Sequence, residues 1–223
     1  MWNKEESRII GFAGCGQQEL ISGTALLFEK LNKKILLMDF TDFGELRNLI
    51  PLNRDFEKAK NIVLKYREVD YIYADAGTEM EDYIFDYDII LADFGRNITH
   101  EEIKKCSQVY YVTDMCNHNI LQLKEIIKKE EAHLVLKNYL KEKGDADYVA
   151  EELNFSCDNF YVLPYEEGEA MQFMSEAKLE NLKYANFTRE TKGLLSDIVR
   201  DGEEEGAYKT AVKAIEKRRK VRW

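Results

Sequence analysis

Residues 8–42 read RIIGFAGCGQQELISGTALLFEKLNKKILLMDFTD, and the order of elements in this stretch decides the fold. The run at 8–13 is apolar and ends among glycines, which predicts a buried strand. From 18 to 31, Leu20, Ile21, Thr24, Leu27, Phe28 and Leu31 recur at helical spacing, which predicts a helix with one apolar face. At 34–40 a second apolar run follows and closes on an acid, Asp39. Strand, glycine turn, helix and strand in this order form a βαβ unit, whose two strands run parallel.

The alternation continues outward along the chain. Further strands are expected at 70–74, 87–94, 109–113, 133–138 and 160–163, the last closed by Pro164. Helices are expected at 54–68, with Phe56, Ala59, Ile62, Val63 and Tyr66 inward, and near 99–106, 117–130, 145–153, 167–175 and 188–200. The strands are apolar along their whole length rather than on alternate residues, so helices must cover both faces. The expected fold is a three-layer, doubly wound α/β domain on a mostly parallel sheet. Its ligand crevice should lie beyond the C-terminal ends of the strands. Residues 1–200 read as one domain, and 201–223 as an acidic turn followed by a basic helix or tail.

Composition narrows the function classes. The 223 residues carry 32 Lys and Arg against 42 Asp and Glu, a net charge of −10, and this acidic balance argues against nucleic acid as a general partner. No apolar run is long enough to span a bilayer, and the first ten residues lack the basic and apolar regions of a signal peptide, so a cytoplasmic protein is expected. Cys15, Cys106, Cys116 and Cys157 form no CxxC pair, and His100, His118 and His133 share no ligand spacing, so no metal site is expected.

The turn after the first strand carries the chemistry. Gly11, Gly14 and Gly16 precede the first helix, where backbone N–H groups and the helix dipole favour a phosphate. Gly11 and Gly16 match the glycines of the phosphate-loop pattern G-x-x-x-x-G-K-[ST]. Gln17 stands where the lysine belongs, and Gln18 where the Ser or Thr belongs. An amide carries no charge to neutralise a phosphate, and Gln is a poor substitute for a hydroxyl beside magnesium.

The stretch 8–42 resembles the opening of the MinD/ParA family of deviant P-loop ATPases. Gly14-Cys15-Gly16 falls on that family's G-x-G, and LNKKILLMD on its second strand. DFTDFGELRNLI, with Asp39 and Asp42, resembles the D-x-D-x-G-L-R-N-L segment. FDYDIILADFG resembles the Walker B strand, with Asp93 as its acid, and LVLKNYL the strand ending near a base-recognising asparagine, here Asn138. YVLPYEEGEAMQFMSEAK resembles the last conserved segment, so the resemblance covers about residues 8–200. It implies a P-loop NTPase-like fold and a vestigial or weak nucleotide site of Gly11, Gly14, Cys15, Gly16, Gln17, Gln18, Asp39, Asp42, Asp93 and Asn138. Phe12 stands at the signature lysine and Thr41 at the second acid of D-x-D. Asp39 and Asp93 also have a local reading, since an acid ending a buried strand often caps the next turn; that role and a residual nucleotide or metal role both stay open.

The tail is the other distinctive segment. Residues 207–223, AYKTAVKAIEKRRKVRW, carry seven Lys and Arg against one Glu. Tyr208, Val212 and Ile215 share a helical face, and Lys217, Arg218, Arg219 and Trp223 would suit a membrane surface. Docking on the acidic body of its own or a partner chain suits the same residues. MinD proteins resemble this chain in ending with a membrane-seeking helix, which leaves a peripheral contact at the inner face of the membrane open.

The expectation is a non-catalytic scaffold or positioning protein, a homodimer with a protein partner in a bacterial assembly or positioning system and no cofactor. Among such proteins the TadZ/CpaE-like pilus-assembly localisation proteins resemble it in their altered P-loops. One alternative is an active atypical ATPase that binds ATP or ADP with magnesium and takes a lysine from elsewhere, with Lys33, Lys34 and Lys137 as candidates. The other is a dinucleotide-binding oxidoreductase, because Gly14 and Gly16 begin a G-x-G and Asp39 lies where a ribose-binding acid would. Glu19 stands there in place of the third glycine.

Overall fold

Seven strands form one sheet in the order β3-β2-β4-β1-β5-β6-β7, and every neighbouring pair is parallel. In chain order they are β1 Arg8–Gly14, β2 Ile35–Asp39, β3 Val69–Tyr73, β4 Ile89–Asp93, β5 Gln108–Thr113, β6 Ala132–Tyr139 and β7 Phe160–Pro164. Among the described residues the α-helices are α1 Gln18–Lys30, α2 Asn117–Lys124, α3 Ala146–Leu153, α4 Glu167–Ser175, α5 Arg189–Arg200 and α6 Ala207–Lys217. The computed structural model describes residues 7–50, 60–75, 77–124, 132–140, 146–153, 155, 159–175, 179, 182–201 and 206–217.

The sheet separates two apolar clusters, as a strand's alternation requires. Ile10 and Phe12 of β1, Ile35 and Leu37 of β2, and Ile89 and Leu91 of β4 pack under α1, α5 and α6. Ile9 and Ala13, Leu36 and Met38, and Ile90 and Ala92 pack on the other side, with α2 and α3. The three-layer reading of the sequence is therefore the observed architecture. Among the described residues no helix is long and apolar enough to cross a membrane.

All seven expected strands are present, and two expected helices differ. Residues 60–68 are not helical. They run beside β3, where Leu64 and Tyr71 exchange backbone bonds at 2.8 and 2.9 Å and Asn61 N–H donates to the Tyr73 carbonyl. Asn61 and Arg67 take positive φ, 56° each, which a helix forbids. The segment covers the outer edge of β3, and pairing the open backbone groups there outweighs helical periodicity. Residues 54–59 of that expected helix lie outside the described residues, as do 125–130 of the helix expected at 117–130. At 99–106 the chain makes only a short 3-10 turn, Glu101–Lys105, which His100 caps by accepting from the Glu102 N–H.

Helix α6 answers the question raised by the tail. Ala211 is fully buried, and Tyr208, Val212 and Ile215 pack against the cluster under α1 and α5. The Tyr208 hydroxyl bonds that of Tyr184 and donates to the Lys192 carbonyl at 3.1 Å. The face proposed for a membrane is thus turned onto the protein's own core, because an apolar stripe beside an uncovered α1–α5 groove is buried there first. Lys209 and Lys213 remain exposed on the outer side. Arg218, Arg219, Trp223 and the side chain of Lys217 lie outside the described residues.

Candidate functional site

The C-terminal ends of β1, β2, β4 and β6 converge beside the first turn of α1. Alternation carries one charged or polar side chain from each of three strands to the α1 side: Asp39 follows Leu37, Asp93 follows Leu91 and Lys137 follows Val135. In β6 the register slips between Leu136 and Tyr139, and Asn138 takes a φ of 54°. This bulge ends the regular strand just after Lys137 and leaves Asn138 exposed.

The glycine turn is held by its neighbours. Gly14 N–H donates to the Gly95 carbonyl at 2.7 Å, and Cys15 N–H to the Val112 carbonyl at 2.9 Å. Gly14 sits at φ 125°, and a Cβ there would lie 1.9 Å from the Val112 oxygen. Gly11, by contrast, is inside β1, paired with Ala92 and Val109, and a Cβ on it would meet Cys106 Sγ at 2.7 Å. It is a packing glycine and takes no part in the turn. Burial, with Asp114 nearby, pushes the Cys15 thiol up to about 11, so it stays protonated and inert; Asn119 Nδ2 lies 3.7 Å from its sulfur.

Gln17 is almost fully buried, and its Nε2 donates to Asp93 Oδ1 at 2.6 Å. Gly95 N–H donates to the same oxygen at 2.8 Å. Gln17 Oε1 and Asp93 Oδ2 have no hydrogen-bond partner among the described residues. Burial is the main reason the Asp93 carboxyl is raised to about 7; the Gln17 bond opposes the rise and the Asp39 charge adds to it. Gln18 has turned away, its amide bonded to the Glu45 carboxylate.

Asp39, also fully buried, is a turn organiser. Its Oδ1 accepts from Thr41 N–H at 3.0 Å and the Thr41 hydroxyl at 2.6 Å, and its Oδ2 from Leu46 N–H at 2.7 Å and the Tyr71 hydroxyl at 3.3 Å. Those bonds fasten the 3-10 turn Glu45–Leu49 to the end of β2. The local reading of this acid is the observed one. Asp42 is exposed, and its carbonyl accepts from the Tyr73 hydroxyl.

Of the three lysines considered, only Lys137 reaches the turn. Its Nζ donates to the Gly16 carbonyl at 2.7 Å and pairs with the Glu19 carboxylate in the first turn of α1. Lys33 and Lys34 precede β2, at the opposite end of the sheet, where Lys34 Nζ donates to the Asp86 carbonyl at 2.8 Å. The sequence offered Lys137 only as one of three lysines; its place at the turn follows from the register of β6 in the sheet. Among the described residues no group of three or more His, Cys, Asp and Glu could hold a metal ion.

No protein-family model matches the chain, and no curated protein matches it. Solved structures do. A ParA family ATPase from Chlorobium tepidum TLS is 16% identical with a TM-score of 0.61, over 86% of this chain and 99% of that one. The MinD cell division protein of Aquifex aeolicus is 16% identical with a TM-score of 0.61, over 89% and 98%. A Cyanothece McdA variant in complex with ATP is 10% identical with a TM-score of 0.64, over 90% and 98%. The likeness spans nearly the whole of each of these chains, and what it establishes is architecture: this chain has the MinD/ParA P-loop NTPase fold.

Proposed function

We propose that the protein is a non-catalytic scaffold or positioning protein built on this fold. It would act as a homodimer with a protein partner in a bacterial assembly or positioning system, pilus or secretion machinery among them. The observation that carries the reading is the buried bond from Gln17 Nε2 to Asp93 Oδ1, 2.6 Å long. A phosphate needs donors and positive charge at the turn. Here the Gln17 amide is engaged by Asp93, the Gln18 amide by Glu45, and the Lys137 ammonium by Gly16 and Glu19. Gln17 Oε1 and Asp93 Oδ2 bring no positive charge to a triphosphate. These engaged side chains do not fit ATP with magnesium.

Lys137 supports a second reading, an atypical ATPase whose lysine comes from β6 rather than from the turn, because its Nζ is already at Gly16. A dinucleotide reading has less support, since both oxygens of Asp39 are engaged by four protein donors and none is left for a ribose. A cytoplasmic location suits the proposal, with any membrane contact falling to residues other than the inward face of α6.

Calorimetric titration with ATP and magnesium, followed by a phosphate-release assay, separates the two readings. The expected result is no saturable heat and no turnover. Tight ATP binding with turnover that is lost in Lys137→Met establishes the second reading and ends the first.

A further inference from the structure

Hydrogen-bond accounting at Asp93 is lopsided. Among the described residues the donors that reach the carboxyl, Gln17 Nε2 and Gly95 N–H, both bond to Oδ1, and Oδ2 has no partner. The amide that supplies one of those donors also holds an unpartnered oxygen, Gln17 Oε1. Both side chains are buried, Asp93 completely. A carboxylate would leave one charged oxygen dry and bare, which is costly. A carboxylic acid would not: its carbonyl oxygen accepts two bonds and its hydroxyl gives one. A primary amide and a carboxylic acid are complementary at two points, N–H to carbonyl and hydroxyl to amide oxygen.

We propose that Asp93 is a protonated carboxylic acid in the folded protein at mildly acidic pH, latched to Gln17 by two hydrogen bonds, its own Oδ2–H donating to Gln17 Oε1. A single buried proton then joins the glycine turn to the end of β4 and does the neutralising that a lysine or a metal ion would otherwise do there. The surroundings agree. Asp39 on β2 is in register with Asp93 on the neighbouring strand, about 5 Å away by strand spacing, and Glu45 lies on the adjoining 3-10 turn. On the other side β1 brings Phe12 alongside. Two acids and an aromatic ring oppose a negative charge; of the cations near the turn, Lys137 is paired with Glu19, and Arg96, beside Cys15, is exposed to solvent. The latch makes the turn sensitive to rising pH: losing the proton leaves Oδ2 and Oε1 as two acceptors, and the turn loosens from β4.

The inference rests on the same closed crevice as the proposed function, but its test uses no nucleotide, so either can fail alone. Because burial raises the Asp93 carboxyl, the folded state holds a proton that the unfolded chain releases; the resulting stability is complete below the unfolded carboxyl's range and is lost as pH rises towards about 7. Asp93→Asn keeps a carbonyl at Oδ1 and places an NH2 donor at Oδ2, so it mimics the acid at every pH. Urea unfolding of the full chain is measured between pH 5 and pH 8. The wild type should lose about tenfold in folding constant per pH unit more than Asp93→Asn over the lower part of that range, and Asp93→Asn should be the more stable at pH 8. Parallel pH profiles, or an Asp93→Asn variant less stable than wild type at pH 8, overturn the proposal. Carbon-13 NMR of the aspartate carboxyl in wild-type protein decides it if that variant does not fold: a protonated Asp93 signal at pH 6 supports the latch, and an ionised one ends it.

Discussion

Gly14→Ala is expected to cost about 3–5 kcal/mol, most of the stability of an ordinary domain, and to leave little soluble protein. Two effects combine. Gly14 has a φ of 125°, which an L side chain rarely adopts, and a Cβ would be driven to 1.9 Å from the Val112 carbonyl oxygen. That oxygen belongs to the backbone of β5 and accepts the Cys15 N–H, so it cannot move aside without opening the turn. Gly16→Ala makes a sharp control. Its φ is 69°, in the left-handed region, but the nearest atom to a Cβ is Lys137 Nζ at 3.5 Å, an ordinary contact. Only backbone strain of about 1 kcal/mol should result. Urea unfolding of the two variants should separate them by more than 2 kcal/mol, roughly the difference between a backbone clash and strain alone. Equal losses would mean that the turn is not pinned to β5.

Deleting α6, by ending the chain after Gly206, is expected to destabilise the fold by several kcal/mol, of the order given by uncovering three large side chains and the surface beneath them. Ala211→Glu should lose on the order of 3 kcal/mol by forcing a charge into a fully buried position between helices. Thermal unfolding reads both effects. Flotation with anionic vesicles adds the discriminating result: if the apolar stripe of Tyr208, Val212 and Ile215 served a membrane, Ala211→Glu would reduce lipid binding while leaving thermal stability unchanged. The docked helix predicts the reverse.

The parallel sheet was legible because its strands are short, apolar throughout and separated by helical lengths. The centres of all seven follow from the order of short apolar runs along the chain. The segment at 60–68 was not legible, because Ile62, Val63 and Tyr66 suit a helix face as well as an edge cover, and only the open backbone edge of β3 decides between them. At the site, the absence of a lysine at Gln17 was plain. Its bond to Asp93 was not, since nothing local says that a side chain 76 residues away lies within its reach. For Asp39 the sequence left a local cap and a nucleotide or metal role both open; the four donors on its carboxylate come into view only in the fold. Lys137 required knowing which face of β6 looks toward α1, a fact that depends on the register of the whole sheet.

The docking of the last helix on the first has a consequence for biosynthesis. Helix α1 leaves the ribosome well before α6, and the surface that α6 covers stays bare until residues 207–217 have been translated. Strand β1 waits as well, because its neighbours β4 and β5 come from much later in the message. The nascent chain must therefore carry sticky, unfinished surface through most of its synthesis, which makes it a natural client for a chaperone and a poor candidate for folding one piece at a time.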